Sequence, residues 1–165
     1  MQKIRMELPE INANEIELNK NRICPEIIIN DFDSNKVGAW EEIQFASDLT
    51  LNKKDRSNFL AKQLGTNFDQ IKARLFFAKE RDTNKLVGSC TAWMDNEWGR
   101  VHWVAVLPEF RGRGIANNLM CECLSRLRAF GHRKAYLHTW SDRHIAIKLY
   151  KKFGFIIRDN FFVDK

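Results

Sequence analysis

A strand followed by a glycine-containing loop and a helix is the segment of this chain best suited to chemistry. Apolar residues predict the strand over 100–107, and Gly112 and Gly114 allow a tight turn before the helix. The first turn of a helix leaves backbone N–H groups without partners, and these groups attract anions together with the helix dipole. The segment therefore predicts a phosphate-binding loop.

The loop alone does not identify the anion, because a helix start can need flexibility without binding anything. It lacks the third glycine of the dinucleotide fingerprint G-x-G-x-x-G, and it lacks the G-K-[ST] of a Walker loop. Arg111 and Arg113 add positive charge, and Ala116 keeps the helix start free of bulk.

Two segments resemble motifs of the GCN5-related N-acetyltransferases (GNAT). Residues 104–116 are similar to motif A, whose core is Arg/Gln-x-x-Gly-x-Gly/Ala, with Arg111, Gly114 and Ala116 in place. Residues 146–155 are similar to motif B, A-I-x-L-Y-x-x-x-G-F. Two motifs in order are harder to obtain by chance than one, and the resemblance extends over residues 26–160.

The resemblance implies that the acyl donor acetyl-CoA lies in a split between the fourth and fifth strands. The backbone of Val104 and Val106 would pair with the pantetheine arm, and residues 112–117 would hold the pyrophosphate. Arg143 departs from the family's pattern, which often has a pantetheine-contacting asparagine there. The predicted donor-binding residues are Val104, Ala105, Val106, Arg111, Gly112, Arg113, Gly114, Ile115, Ala116, Asn117 and Arg143.

Tyr150 and His102 are the predicted catalytic residues. Tyr150 matches the family's tyrosine near the CoA sulfur, where a phenol can donate to the departing thiolate. His102 lies two residues before Val104 and, by the strand period, would share its face; it is the candidate base for the amine. Each residue also has a purely structural interpretation, and Glu97 acting through a water molecule is a second candidate base.

The acceptor is left open between a small amine such as an aminoglycoside or polyamine, an amino acid, and a protein amine. His138 and Trp140 alternate on the fifth strand near the split. Four aromatic residues could line an acceptor pocket, although core or hairpin packing is the favoured interpretation: Trp40, Phe45, Trp93 and Trp98.

The elements that must position these residues predict an α/β fold. We expect a GNAT-like mixed, mostly antiparallel central sheet with helices on both faces. Strands are predicted over 26–32, 75–80, 86–94, 100–107, 134–140 and 155–158, and helices over 40–49, 55–64, 115–130 and up to 152. Asp55 is expected to cap the second helix and Ser141 or Asp142 the last, while Gly65, Gly131 and Gly154 end helices.

Residues 1–24 are predicted to be an extended or loosely structured lead-in, with one short apolar stretch stopped by Pro9. Residues 25–165 are expected to form a single domain, which suits a chain of 165 residues. The lead-in lacks the apolar middle of a secretory signal, and no apolar run reaches the length of a membrane span. A cytoplasmic protein without membrane association is therefore predicted.

The net charge of +6 indicates an anionic partner. The basic residues are scattered, which favours a small polyanion over nucleic acid. The four cysteines have no metal-ligand spacing, so no metal is expected, and they are interpreted as small buried hydrophobic residues: Cys24, Cys90, Cys121 and Cys123.

These observations favour an N-acetyltransferase that moves an acetyl group from acetyl-CoA to a primary amine by direct transfer in a ternary complex. The alternative is an acyl-CoA-binding regulatory module without catalysis. The oligomeric state is left open, with a homodimer as one option because dimers are common in the family.

Overall fold

The computed structural model describes residues 2–48, 51 and 58–158 and contains one seven-stranded sheet. Its strands are β1 (Lys3–Leu8), β2 (Ile27–Asp31), β3 (Leu75–Glu80), β4 (Leu86–Asp95), β5 (Trp98–Val106), β6 (Ala135–Trp140) and β7 (Ile156–Arg158). Their order is β2-β3-β4-β5-β6-β1-β7. Every pair is antiparallel except β5 with β6, which confirms a mixed, mostly antiparallel sheet.

Within the described ranges, six α-helices cover the two faces of the sheet: α1 (Ala13–Lys20), α2 (Val37–Ser47), α3 (Phe59–Leu64), α4 (Phe68–Arg74), α5 (Ile115–Ala129) and α6 (His144–Lys152). One hydrophobic core holds residues of α1, α5 and α6, and we call that side of the sheet the α5 face. A second core holds residues of α2, α3 and α4, and its side is the α2 face. Helices on both faces agree with the predicted fold class.

The split between β5 and β6 is the main irregularity of the sheet. The two strands pair only at Gly99 with Ala135 and at Arg100 with Tyr136, although β5 continues to Val106. Beyond that point the strands separate, and the edge of β5 that faces the split has no strand partner among the described residues. The predicted split between these strands is confirmed.

A β-bulge at Trp103 changes which side chains share a face. Trp103 has a φ of +50°, and the register of β4 against β5 shifts opposite it. Val101 and Val104 both pack into the core of the α5 face, three residues apart, so one extra residue lies between them. His102, next to Val101, therefore points to the α2 face. The prediction that His102 shares a face with Val104 is wrong because strand alternation does not continue through a bulge.

The amino-terminal residues form part of the sheet, so the prediction of a loosely structured lead-in is wrong. β1 lies between β6 and β7 and pairs with both. Met6 is 0% exposed and Leu8 4%, because they enter the core of the α5 face. α1 then packs on α5. That residues 25–165 alone form a domain stays a prediction.

The other predicted elements agree with the structure to within a few residues at their ends. Gly65, Gly131 and Gly154 all have positive φ at helix ends, as expected. The predicted cap of α6 is wrong, because the residue before the helix is Arg143 and no side chain caps it. Asp55 lies outside the described residues.

All four cysteines are buried and free, as predicted. Cys121 contacts the carbonyl of Ile16 in α1, whereas Cys123 contacts the carbonyl of Thr91 in the sheet. The described ranges contain no helix long and apolar enough to span a bilayer. They also contain no group of three His, Cys, Asp or Glu side chains suited to a metal ion.

Candidate active site

The loop between β5 and α5 has the geometry of an anion-binding site. A single 3-10 turn, Pro108–Phe110, follows β5, and Gly112 and Gly114 then adopt φ values of +79° and +83°. Such values are left-handed and favour glycine. Gly114 is the residue before α5, and no side chain caps the helix there. The first turn of α5 thus keeps its donors available.

The amide groups of residues 112–116 donate to no other group within the part of the chain that the structure describes. The first amide of α5 with a partner is that of Asn117, which donates to the carbonyl of Gly114 at 2.9 Å. A Cβ atom at Gly112 would meet nothing within 4 Å, so the space beside this amide is open. Five unpaired donors at a helix start suit an anion such as a pyrophosphate.

The two arginines of the loop attach it to neighbouring elements. Arg111 donates to the carbonyl of Val106 at 3.2 Å and to the carbonyl of Ser47 at 2.8 Å. Arg113 forms an ion pair with Glu80 at 3.1 Å. Arg111 therefore shapes the loop by joining it to β5 and to the end of α2. Neither arginine is needed to explain an anion site, because the amides supply the donors.

The segment before β2 lies against the loop, which the sequence did not reveal. The carbonyl of Arg22 accepts from Asn117 at 2.9 Å, and a Cβ atom at Gly114 would lie 3.0 Å from it. The Asn118 side chain pairs with both backbone groups of Cys24, at 2.8 and 3.0 Å. These contacts join residues about ninety positions apart, so no local pattern predicts them.

The free edge of β5 offers backbone donors to the split. Leu107 donates to the carbonyl of Val87 in β4 at 2.9 Å. Since backbone groups alternate along a strand, the N–H groups of Val106 and Val104 point away from β4 and into the split. The carbonyl of Val106 already accepts from Arg111 and from Ser47, so it is occupied. Ala105 is buried in the core of the α2 face.

Tyr150 lies on α6 and is buried in the core of the α5 face, where its ring contacts Phe155 at 6.2 Å between centroids. Burial raises the pKa of Tyr150 above its ordinary value, so the phenol stays protonated at neutral pH. None of the described residues hydrogen-bonds to its hydroxyl. The proton is thus available to another acceptor.

His102 lies on the opposite face of the sheet, beside the ring of Trp103 at 5.3 Å. Burial, with Arg100, His138 and Lys3, lowers the pKa of His102 to about 3. The imidazole is therefore neutral at neutral pH and keeps a lone pair, but it is a weak base. The structure does not bring His102 and Tyr150 together on one face.

Arg143 forms an ion pair with Asp48. Asp48 follows the last residue of α2, and Arg143 precedes α6, so the pair connects the two faces of the sheet. Ser47, next to Asp48, donates to Val106 at 3.1 Å. Ser47 and Asp48 were not predicted as site residues, since nothing in the helix pattern of α2 distinguishes them.

Two of the aromatic residues considered for the acceptor pocket instead fill the core of the α2 face. Trp40 is 0% exposed and contacts Trp103 edge-on, with 5.8 Å between centroids. Phe45 packs against Phe59 at 4.9 Å. Gln44 fixes this region by donating to Ser89 at 2.9 Å. Trp40 and Phe45 therefore belong to the core of the α2 face and do not line a pocket.

Comparison with known proteins finds one protein family whose sequence model matches most of the chain. Residues 39–155 match the sequence model of the acetyltransferase (GNAT) family. A protein described as an acetyltransferase from Pectobacterium atrosepticum is 37% identical over 68 residues, which are 41% of this chain and 48% of that protein.

Solved structures share the fold. A GCN5-related N-acetyltransferase from Sphaerobacter thermophilus has a TM-score of 0.72 at 20% identity, over 94% of this chain and 48% of that one. An acetyltransferase from Colwellia psychrerythraea has a TM-score of 0.66 at 16% identity, over 94% and 52%. The chain thus spans about half the length of these proteins.

Proposed function

Because the chain belongs to the acetyltransferase (GNAT) family, we propose that it transfers an acetyl group from acetyl-CoA to a primary amine. The observation that supports this most is that the free edge of β5 and the unpaired amides of the loop follow one another along the chain and form one continuous binding path. The unpaired amides of residues 112–116 lie directly beyond the end of β5, and the free edge of that strand runs along the split. A long donor with a phosphate at one end and a thioester at the other fits such a path.

The donor would bind through backbone groups. The amides of residues 112–116 hold the pyrophosphate, with Asn117 beside them, and the N–H groups of Val104 and Val106 pair with the pantetheine arm. The carbonyl of Val106 contributes nothing, since Arg111 and Ser47 occupy it. Arg143 would reach the donor only after releasing Asp48.

The reaction is a direct transfer within a ternary complex. The amine nitrogen forms a bond to the thioester carbon, and the carbon–sulfur bond breaks. The N–H of Val104 or Val106 stabilises the negative charge that develops on the carbonyl oxygen. Tyr150 donates its proton to the departing thiolate, because its hydroxyl is protonated and has no described partner.

The proton of the attacking amine leaves on the α2 face. His102 is the candidate acceptor, either directly or through water, although its pKa of about 3 makes it a relay and not a strong base. Glu97 is less suited, since it lies in the turn between β4 and β5 and pairs with Lys134 at 3.1 Å.

Thiol release from acetyl-CoA over a panel of amines tests the proposal. We expect saturable release of CoA that depends on one class of amine, and mass spectrometry of the acceptor should show the added acetyl group. Binding of acetyl-CoA without turnover of any amine would instead support a regulatory acyl-CoA-binding module. Failure to bind acetyl-CoA would contradict both proposals.

Two further proposals concern the protein's surroundings. We propose a cytoplasmic location and a homodimer. Cell fractionation tests the first, and light scattering at several concentrations tests the second, with a single monomer mass as the contradicting result.

A further inference from the structure

The strands on one side of the split present a polar surface on the α2 face. On β1, Ile4, Met6 and Leu8 pack on the α5 face, so the alternate residues point the other way. The same alternation on β5 and β6 places further polar residues beside them. We call this set the basic face: Lys3, Arg5, Glu7, Arg100, His102, Tyr136, His138 and Arg158.

Only some of the cations on the basic face have a carboxylate partner. Glu7 accepts from Arg5 and from Arg158, each at 2.8 Å. Lys3 and Arg100 form no ion pair with any of the described residues. Two positive charges on this surface therefore have no carboxylate partner.

Two polar atoms of the basic face are buried without a hydrogen-bond partner in the described chain: Nε of Arg100 and Nδ1 of His138. Buried polar groups in proteins nearly always have a partner, so each such atom needs an explanation. The register explains their closeness, because Arg100 is opposite Tyr136 and Lys3 is opposite Trp140, which places the two cations on either side of His138.

The positive charges of the basic face also help to lower the pKa values of its two histidines. Burial, with Lys3, Arg100 and Arg5, lowers the pKa of His138 to about 4. The nearby Asp95 acts in the other direction but accepts a hydrogen bond from Tyr136 at 2.8 Å. His138 and His102 are consequently neutral at neutral pH, and each can donate one hydrogen bond.

The position of the basic face separates it from the phosphate-binding loop. Arg100 belongs to the last pair of the ladder between β5 and β6, at the closed end of the split. Leu107 lies seven residues further on, roughly 23 Å away at about 3.3 Å per residue. The phosphates of the donor bind beyond Leu107, so Arg100 and Lys3 are available to the acceptor.

We propose that the acceptor is an amine that also has a carboxylate, and that Arg100 binds this carboxylate with Lys3 beside it. This rests on the proposed acetyl transfer. A guanidinium matches the two oxygens of a carboxylate with two parallel hydrogen bonds. The carboxylate would pair the buried Nε of Arg100 and neutralise one of the two unpartnered charges, while the amine points toward the thioester.

Matched acceptors test the proposal. α-Amino acids are compared with their amides and with the corresponding decarboxylated amines, and peptides with an acidic second residue are compared with neutral peptides. We expect kcat/KM to be roughly 10- to 100-fold higher for whichever carboxylate-bearing series is the acceptor class. The first series would identify a free amino acid, and the second an acidic peptide.

The variant Arg100→Gln should remove this preference, and Arg100→Lys should restore only part of it, because an ammonium lacks the planar fork. Arg128→Gln, an exposed arginine at the end of α5, is the matched control and should keep the preference. Thermal unfolding of each variant excludes a folding defect as the cause. Equal turnover of acid and amide forms, or a preference that persists in Arg100→Gln, would overturn the proposal.

Calorimetric binding of the same amines to the protein saturated with CoA distinguishes the two proposals. Binding of the acid form that Arg100→Gln abolishes, without any turnover, would support the carboxylate site and refute acetyl transfer. Equal turnover of the acid and amide forms would support acetyl transfer and refute the carboxylate site.

Discussion

Tyr150 and His102 face opposite sides of the sheet, and the proposed mechanism uses this to separate the two proton transfers that acyl transfer to an amine requires. The sulfur must gain a proton and the amine must lose one. Tyr150, protonated in the core of the α5 face, suits the first, and His102, neutral on the α2 face, suits the second.

Tyr150→Phe removes the hydroxyl and keeps the ring that packs in the core. We expect kcat to fall roughly 10²-fold, a typical effect of losing a general acid, with the Kd for acetyl-CoA nearly unchanged. Steady-state kinetics and calorimetry measure the two quantities. An unchanged kcat would exclude Tyr150 from the reaction.

The depressed pKa of His102 makes the stability of the fold depend on pH. In the unfolded chain the imidazole takes up a proton below its ordinary value of 6.5, but in the folded protein it does so only near 3. The contribution to stability is therefore complete above pH 6.5 and is lost progressively as the pH falls toward 3. His102→Asn should show a smaller decrease in Tm between pH 7.5 and pH 5 than the wild type.

His144→Asn is the control for that measurement, because His144 is exposed at the start of α6. It should lose as much Tm as the wild type over the same pH range. If His102→Asn and the wild type lost equal stability, the histidine would not be buried as the structure has it.

At the scale of elements, the start of α5 and its end provide a matched pair of glycines. Gly112 and Gly131 have φ values of +79° and +89°, and a Cβ atom at either would meet nothing within 4 Å. Each change to alanine should cost a similar strain, about 1 kcal/mol. Only Gly112→Ala places a methyl group in the space beside the unpaired amides.

We therefore expect both alanine variants to lower Tm by similar amounts, whereas only Gly112→Ala weakens the binding of acetyl-CoA. Calorimetric titration measures the affinity, and Gly131→Ala serves as the control. Equal affinity in the two variants would show that the donor phosphates do not lie against Gly112.

At the scale of the whole molecule, the first strand joins two strands that lie more than one hundred residues further along the chain. β1 pairs with β6 on one side and with β7 on the other, so it completes the half of the sheet beyond the split. It also supplies Lys3 and Arg5 to the basic face. Stability and the proposed acceptor site thus depend on the same strand.

Met6→Ala should lower the free energy of unfolding by roughly 2–5 kcal/mol, because it leaves a cavity in the core. Leu18→Ala, at a residue 68% exposed on α1, should change it by less than about 0.5 kcal/mol. Denaturant unfolding followed by circular dichroism measures both. A similar small effect for the two variants would indicate that residues 1–24 do not form part of the fold.

The sequence by itself predicted the elements from β2 onward and the glycine loop between β5 and α5, because both depend on local signals. Glycines at 112 and 114, the apolar spacing of α5 and the alternation of the strands each act within a few residues. The resemblance of two motifs to one family then indicated acyl transfer, and the family match over residues 39–155 agrees.

The tertiary structure decided the features that depend on distant partners. Alternation placed His102 beside Val104, but the bulge at Trp103, formed against β4, reversed its face. Composition suggested a loose amino terminus, but β1 finds two partner strands more than one hundred residues away. The unpaired charges of Arg100 and Lys3 appear only when three strands lie side by side, since charge balance is a property of spatial neighbours and not of sequence neighbours.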